Sequence, residues 1–426
     1  MKIVVRVLAV LATFLSIKNL PGHHVEAYSV LSTTTRATMV RRQISPNQSF
    51  LFRRKTFLSS AEVDSDAVEV TDVSEIPTPE IDLVVDTLTP SSSSSSLPPP
   101  KSHRPVRRKY ETFLWFYNLQ EYNINYRVEG PVDGTPILLV HGFGANVNHF
   151  RHQFPALVEA GYRVYAIDLL GFGASDKPSK VGYSIELFVD LLTEFIQTMK
   201  HNHLHDNRND ADDNKHKSWM IAGNSIGGLC SLSVAEKLPE LIQGVVLFNC
   251  AGGMTGFRYD DVPFFLRPVL WLIQYVALGP SWGGRFFEKF KTRDNVEGIL
   301  RQSGVYRDQT HVNEELFEIL LAPSDDEGAQ DVFLEVFAGP PGPTPESILP
   351  SIQCPVLALW GSADPWTPVD AGAHPGCQFG QYCNADFSLH VLPGAGHCPH
   401  DEVPEAVHAI MIPWMEETKK KFDPMA

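Results

Sequence analysis

From residue 137 onward, short apolar runs alternate with longer segments in which apolar residues recur every three or four positions. The runs are ILLV at 137–140, RVYAID at 163–168, WMIAG at 219–223, GVVLFN at 244–249, PVLALW at 355–360 and FSLHVLP at 387–393. Runs of this length, bounded by glycine, proline and polar turns, read as strands buried on both faces. NHFRHQFPALVEAG, SIELFVDLLTEFIQTMK and the stretch after Ser225 carry the helical period. The alternation predicts an α/β fold with a mostly parallel central sheet and helices on both faces. Ahead of the first parallel strand, ETFLWFYN and YNINYRVEG read as an antiparallel hairpin on the sheet edge.

The pattern breaks once, after the sixth strand, between about 252 and 345. Here PFFLRPVLWLIQYVALG and GRFFEKF are aromatic and helical in period, and AGPPGPTPESILP is rich in proline. So long an insertion between two strands predicts a helical cap over an apolar pocket, with Phe264 and Trp271 among its lining residues. An extra packing layer without a pocket is the alternative.

The first hundred residues have a different character. Lys2 and Arg6 open an apolar run of about fifteen residues, short for a membrane span, and Val25 and Ala27 end a cleavable pattern, so 1–27 reads as a signal peptide. Residues 28–61 are rich in Ser, Thr and Arg without an acidic residue, which is transit-peptide composition. Residues 62–105 run from an acidic stretch into SSSSSSLPPP and read as a flexible linker, leaving 106–426 as the folded domain. A signal followed by a transit-like segment resembles the two-part plastid address of algae whose chloroplasts have extra membranes. A secreted protein with a basic propeptide is the alternative.

Charge and cysteine usage narrow the partners. A net charge of −15, with no strongly basic stretch downstream, argues against a nucleic-acid partner and favours a neutral or apolar substrate. Six cysteines are too few for a disulfide scaffold and lack paired zinc spacing; Cys377 and Cys383, in one polar loop, are open to pairing. HNHLHDNRNDADDNKHK at 201–217 resembles metal bait but reads as a polar surface loop, so neither a metal nor a cofactor is expected.

Four elements carry the chemistry, each at the carboxyl end of a predicted strand, where open α/β sheets bind ligands. They are His141-Gly142-Phe143-Gly144, the G-x-S-x-G turn at Ser225, Asp364 in GSADPWTP, and His397 in GAGHCPHDEVPE. A serine hydroxyl needs a base to become a nucleophile, which makes His397 the candidate base and Asp364 its orienting acid. The loop NCAGGMTG offers no carboxylate before Asp260, which leaves Asp364 for that role. Backbone N–H groups of Phe143 and Ile226 are the candidate oxyanion donors, with His141, Gly142 and Asn224 beside the substrate. Asp168, in a glycine-rich turn, reads as structural, and His400 as a solvated loop residue.

HGFGAN, DLLGFGASDKP, GNSIGGL, WGSADPWTP and LPGAGHCPHDEVPE resemble members of the α/β-hydrolase superfamily, and more narrowly the plastid chlorophyll dephytylase and pheophytinase group. The likeness spans about 110–418 and implies the α/β-hydrolase fold. It also implies hydrolysis of the phytyl ester of chlorophyll or pheophytin by Ser225, His397 and Asp364, with peripheral contact at the thylakoid surface that holds such a substrate. The 201–217 insertion and the enlarged loop at 373–387 depart from the group's pattern. A general lipid or small-ester hydrolase and a non-catalytic receptor on the same fold are the other readings.

Overall fold

Successive residues of each central strand point to opposite sides of one sheet, and both sides are buried. Leu138, Val140, Ile221, Val245, Leu247 and Ala358 belong to one apolar cluster, while their neighbours Ile137, Leu139, Ala222, Val246, Phe248 and Leu359 belong to another. This is why these strands read as unbroken apolar runs. The structure, a computed structural model, describes residues 110–206, 219–254 and 280–422, all within one compact unit.

The eight strands are β1 (Tyr110–Tyr117), β2 (Gln120–Glu129), β3 (Thr135–Val140), β4 (Tyr162–Ile167), β5 (Trp219–Asn224), β6 (Ile242–Phe248), β7 (Val356–Gly361) and β8 (Phe387–Leu392). They lie in the order β1-β2-β4-β3-β5-β6-β7-β8. The β1–β2 hairpin is antiparallel and joins β4 antiparallel; every other pairing is parallel. The mostly parallel sheet, the edge hairpin and the strand positions agree with the sequence-based expectation.

Helix α1 (Gln153–Glu159) packs on one face through Phe154 and Leu157. On the other lie α2 (Ile185–Asp206), through Phe188, Leu192 and Phe195, and α3 (Ile226–Lys237), through Leu229. Helix α2 continues into the histidine-rich segment, most of which lies outside the described residues. Between β6 and β7 come α4 (Pro280–Phe290), α5 (Arg293–Glu297), α6 (Glu314–Leu321), α7 (Ala329–Ala338) and α8 (Pro345–Ile348). The first four of these fall inside the span predicted as a cap. After β8, α9 (Pro399–Glu402) leads into α10 (Pro404–Phe422), whose Met411 and Met415 pack beside α1. The leader and linker lie outside the described residues.

A polar clasp ties the insertion to the sheet. Arg151 grips Asp401 with two hydrogen bonds, of 2.8 and 3.1 Å, and reaches the His311 carbonyl at 2.7 Å and Asn313 at 2.9 Å. Tyr306 donates to Asp401 at 2.9 Å, so its oxygen accepts from His149 Nε2 at 2.8 Å. His400, expected in solvent, is fully buried against the rings of His149, Phe150 and Phe248. It lies on the short helix α9, and neither ring nitrogen has a hydrogen-bond partner among the described residues.

Burial, reinforced by the Arg151 charge and opposed by Asp401, pushes His149 down to about 4, and burial among other histidines also pushes His400 well down. As pH falls from 6.5 toward 4, the unfolded chain gains a proton that folded His149 refuses. Stability therefore falls with falling pH, by about 3 kcal/mol over that window from His149 alone. Urea unfolding at a series of pH values checks this: the slope should become shallower by close to one proton in His149→Gln.

Candidate active site

Ser225 stands between β5 and α3 with φ 56° and ψ −119°, a conformation few L-residues adopt. Its N–H donates to the Phe248 carbonyl at 3.0 Å. Its own carbonyl accepts from Gly228 at 3.0 Å, Leu229 at 3.3 Å and Ala251 at 3.0 Å. The sharp turn brings β3, β5 and α3 so close that a Cβ on Gly223 would enter the Gly227 carbonyl, and one on Gly227 those of Val140 and His141. Gly228 is less confined: an added Cβ would meet the Gly223 oxygen at 3.1 Å and Cys250 at 3.3 Å. Gly142 draws the preceding loop over the serine, since a Cβ there would lie 3.3 Å from that of Ser225.

His397 and Asp364 are both buried, and His397 Nδ1 lies 2.8 Å from Asp364 Oδ2. The carboxylate has four further donors. Asn249 Nδ2 and Thr367 Oγ1 each reach Oδ2 at 2.5 Å; the Trp366 and Thr367 amides reach Oδ1 at 2.8 and 3.1 Å. Burial alone pushes Asp364 up, but His397 and the side-chain donors outweigh it and hold the carboxyl well below its ordinary range. An ionised Asp364 only accepts, so the proton on the histidine sits at Nδ1 and Nε2 is left with its lone pair.

Two asparagines hold this pair in place. Asn249, at φ 46° just past β6, also donates to the Gly396 carbonyl at 3.2 Å and accepts from Gly361 N–H at 3.0 Å. The sequence reading passed over it, though an asparagine one residue beyond a strand, level with the other site loops, was the available signal. Asn224 bridges the Phe248 and His397 carbonyls at 3.1 Å each, which ties the histidine loop to the residue preceding Ser225.

Asn224 is thus a buried brace rather than the pocket-lining residue expected from sequence, and so is His141. Its Nε2 accepts from Leu169 N–H at 3.0 Å, which makes Nδ1 the donor to the Gly142 carbonyl at 2.7 Å. Full burial lowers its affinity for a second proton and keeps the ring neutral. The residue shapes the loop from beneath. Asp168 is structural, as expected: it is buried and accepts from the Val147 and Ala174 amides and from Asn125.

The amides of Phe143 and Ile226 have no acceptor among the described residues. The half-buried Phe143 ring packs against Phe172, Phe333 and Phe337, with centroids 5.4 to 5.8 Å away. Phe333 in turn meets Phe286, Phe287 and Phe290 of α4. An aromatic cluster therefore spans the loop after β3 and the insertion. Phe264 and Trp271 lie outside the described residues. Cys377 and Cys383 are free thiols.

A mostly parallel eight-stranded sheet with a serine elbow, a buried His–Asp pair and strand-end loops defines an α/β hydrolase, and the chain belongs to the alpha/beta hydrolase family, whose pattern matches residues 137–410. Among its relatives, epoxide hydrolase 2 of Caenorhabditis elegans is 24% identical over 319 residues, which is 71% of this chain and 79% of that protein. The chloroplastic pheophytinase of Arabidopsis thaliana is 26% identical over 324 residues, covering 67% of this chain and 62% of that protein. A serine hydrolase involved in carbazole degradation superposes with TM-score 0.52 at 21% identity, over 72% of this chain and 99% of its own. An esterase from Thermogutta terrifontis gives 0.51 at 22%, over 73% and 99%. These structural likenesses concern the fold.

Gly227→Ala should prevent assembly of the elbow, seen as loss of soluble folded protein, because two backbone carbonyls block the added methyl. Gly228→Ala should fold with a loss of about 1 to 3 kcal/mol, since it meets one carbonyl and a thiol that can shift. Thermal unfolding of both variants checks the contrast.

Proposed function

We propose that this protein is a serine esterase in which Ser225, His397 and Asp364 act as a catalytic triad. The observation that carries the reading is His397 held by an ionised Asp364 through Nδ1, on the loop that Asn224 ties to the Ser225 elbow. His397 Nε2 takes the serine proton as Oγ attacks the ester carbonyl. The developing oxyanion accepts from the Phe143 and Ile226 amides, which have no acceptor among the described residues. The alcohol leaves with the proton from His397, and a water deprotonated by the same nitrogen releases the acid.

For the substrate, we infer a large apolar ester, of which the phytyl ester of chlorophyll or pheophytin is the best supported. The similarity to a chloroplastic pheophytinase supports it, and so does the phenylalanine cluster running from the Phe143 loop into α4 and α7. The plastid location and the boundaries at 27, 61 and 105 are part of the same proposal and rest on leader composition. Epoxide opening or dehalogenation through an ester intermediate needs a carboxylate at the nucleophile position, and Ser225 disfavours both.

The protein incubated with chlorophyll a, pheophytin a, acylglycerols and a short chromogenic ester should release phytol from the pigments. Ser225→Ala should lower turnover by about 10⁴-fold or more while binding persists. Turnover of acylglycerols or short esters alone defeats the pigment reading, and an active alanine variant defeats the triad. A fluorophosphonate that leaves folded Ser225 unlabelled favours a receptor.

A further inference from the structure

We propose that the tip of the β1–β2 hairpin is a membrane-contact element, which seats the carboxyl end of the sheet on an uncharged lipid surface. Its position follows from register. β2 pairs with β4 only over Tyr126–Glu129, and Tyr126 lies opposite Ile167, the last residue of β4. Because β2 runs antiparallel, Gln120–Asn125 continue past the carboxyl edge of the sheet, the end that carries Ser225, Asp364 and His397. At about 3.3 Å per residue these six residues make roughly 20 Å of strand between that edge and the turn, running past α2, which Trp115 meets at Glu194.

The tip's composition is at odds with its exposure. Tyr117 pairs with Gln120, closing a two-residue turn in which Asn118 has φ 49° and Leu119 φ 64°. Glycine is the residue this turn favours at its second position. Leucine there is strained, and its side chain is 101% exposed. On the outer face of β1, Phe116 is 63% and Leu114 54% exposed. The stretch LWFYNLQ at 114–120 has no charge, in a chain of net charge −15.

The finger is also well anchored. Trp115 is buried, donates to Glu194 at 2.9 Å and stacks on Tyr117. Asn123 donates to Asp176 from its backbone at 2.7 Å, and Asn125 to Ser175 at 2.9 Å. Three side chains on a projecting finger offer a few hundred Å², short of the roughly 800 Å² per partner of a stable protein pair. A bilayer interface asks only for depth and suits uncharged aromatic and aliphatic residues. The net negative charge selects uncharged over anionic lipid. The purpose of the contact, drawing a long-chain ester from a bilayer, rests on the proposed function; the contact itself does not.

The test uses a probe at the tip, so that the apolar leader does not report. Full-length chain carrying Leu119→Cys with Cys377→Ser and Cys383→Ser is labelled with an environment-sensitive nitrobenzoxadiazole dye and mixed with phosphatidylcholine vesicles, with or without nitroxide lipid. Blue-shifted emission that nitroxide lipid quenches, weaker on phosphatidylglycerol, is expected. Leu114→Ser/Phe116→Ser/Leu119→Ser should lose about tenfold or more of the rate on a vesicle-borne long-chain ester and keep its rate on a soluble short ester. An unchanged spectrum with vesicle-bound protein overturns the proposal. So does a shift that depends on protein concentration without lipid, which marks self-association, or a triple variant unimpaired on vesicles. If no ester is turned over, the esterase reading fails while the spectrum still decides the tip.

Discussion

With φ at 56° and ψ at −119°, the backbone of Ser225 costs about 1 to 3 kcal/mol relative to a relaxed residue. It persists because its amide and carbonyl are both claimed. The Phe248 carbonyl takes the amide, and three N–H groups converge on the carbonyl, one of them Ala251 from the loop after β6. The elbow is therefore locked from the neighbouring strand as well as from its own helix. The close approach of β3, β5 and α3 follows, as does the absence of side chains at Gly223 and Gly227.

The same strand end supports the rest of the site. Asn249 fixes Asp364, the Gly396 carbonyl and the Gly361 amide, while Asn224 reaches His397 from β5. Beyond them, His397 N–H donates to the Val305 carbonyl at 2.8 Å. Glu402 accepts from Arg307 and Asp308 on one oxygen and from Gly396 on the other, at 2.7 Å each. The histidine loop is thus bonded to the insertion as firmly as to the sheet. On the opposite side Phe143 joins its amide to the insertion through ring packing. The insertion therefore touches both the loop of the proposed base, His397, and the loop of Phe143, one of the two proposed oxyanion donors.

Much of this was legible beforehand because strands buried on both faces announce themselves as apolar runs, and site loops follow their carboxyl ends. The positions of Ser225, Asp364 and His397 came from order along the chain. What escaped is what depends on partners distant in sequence. Asn249 sits one residue beyond β6, level with the other site loops, but the three side-chain hydrogen bonds that give it its role span 112 to 147 residues. His400 sits in a polar stretch, CPHDE, and only the tertiary fold turns it under Phe248. His141 and Asn224 lie beside the nucleophile in sequence, yet backbone groups in need of donors and acceptors draw their side chains inward.

Left-handed backbone at residues other than glycine occurs at five described positions, Lys180 in a surface loop and four others that differ in what offsets it. Ser225 and Asn249 are each compensated by several hydrogen bonds to other strands. Asn118 suits the turn it occupies, because its short polar side chain tolerates that region. Leu119 has neither advantage: its side chain is wholly in solvent, and glycine would relax the turn. An exposed leucine in this conformation is what the proposed lipid contact at the hairpin tip offsets. In the proposed roles, the strain at Ser225 aims a hydroxyl at a substrate and the strain at Leu119 aims an apolar side chain at the surface that holds one.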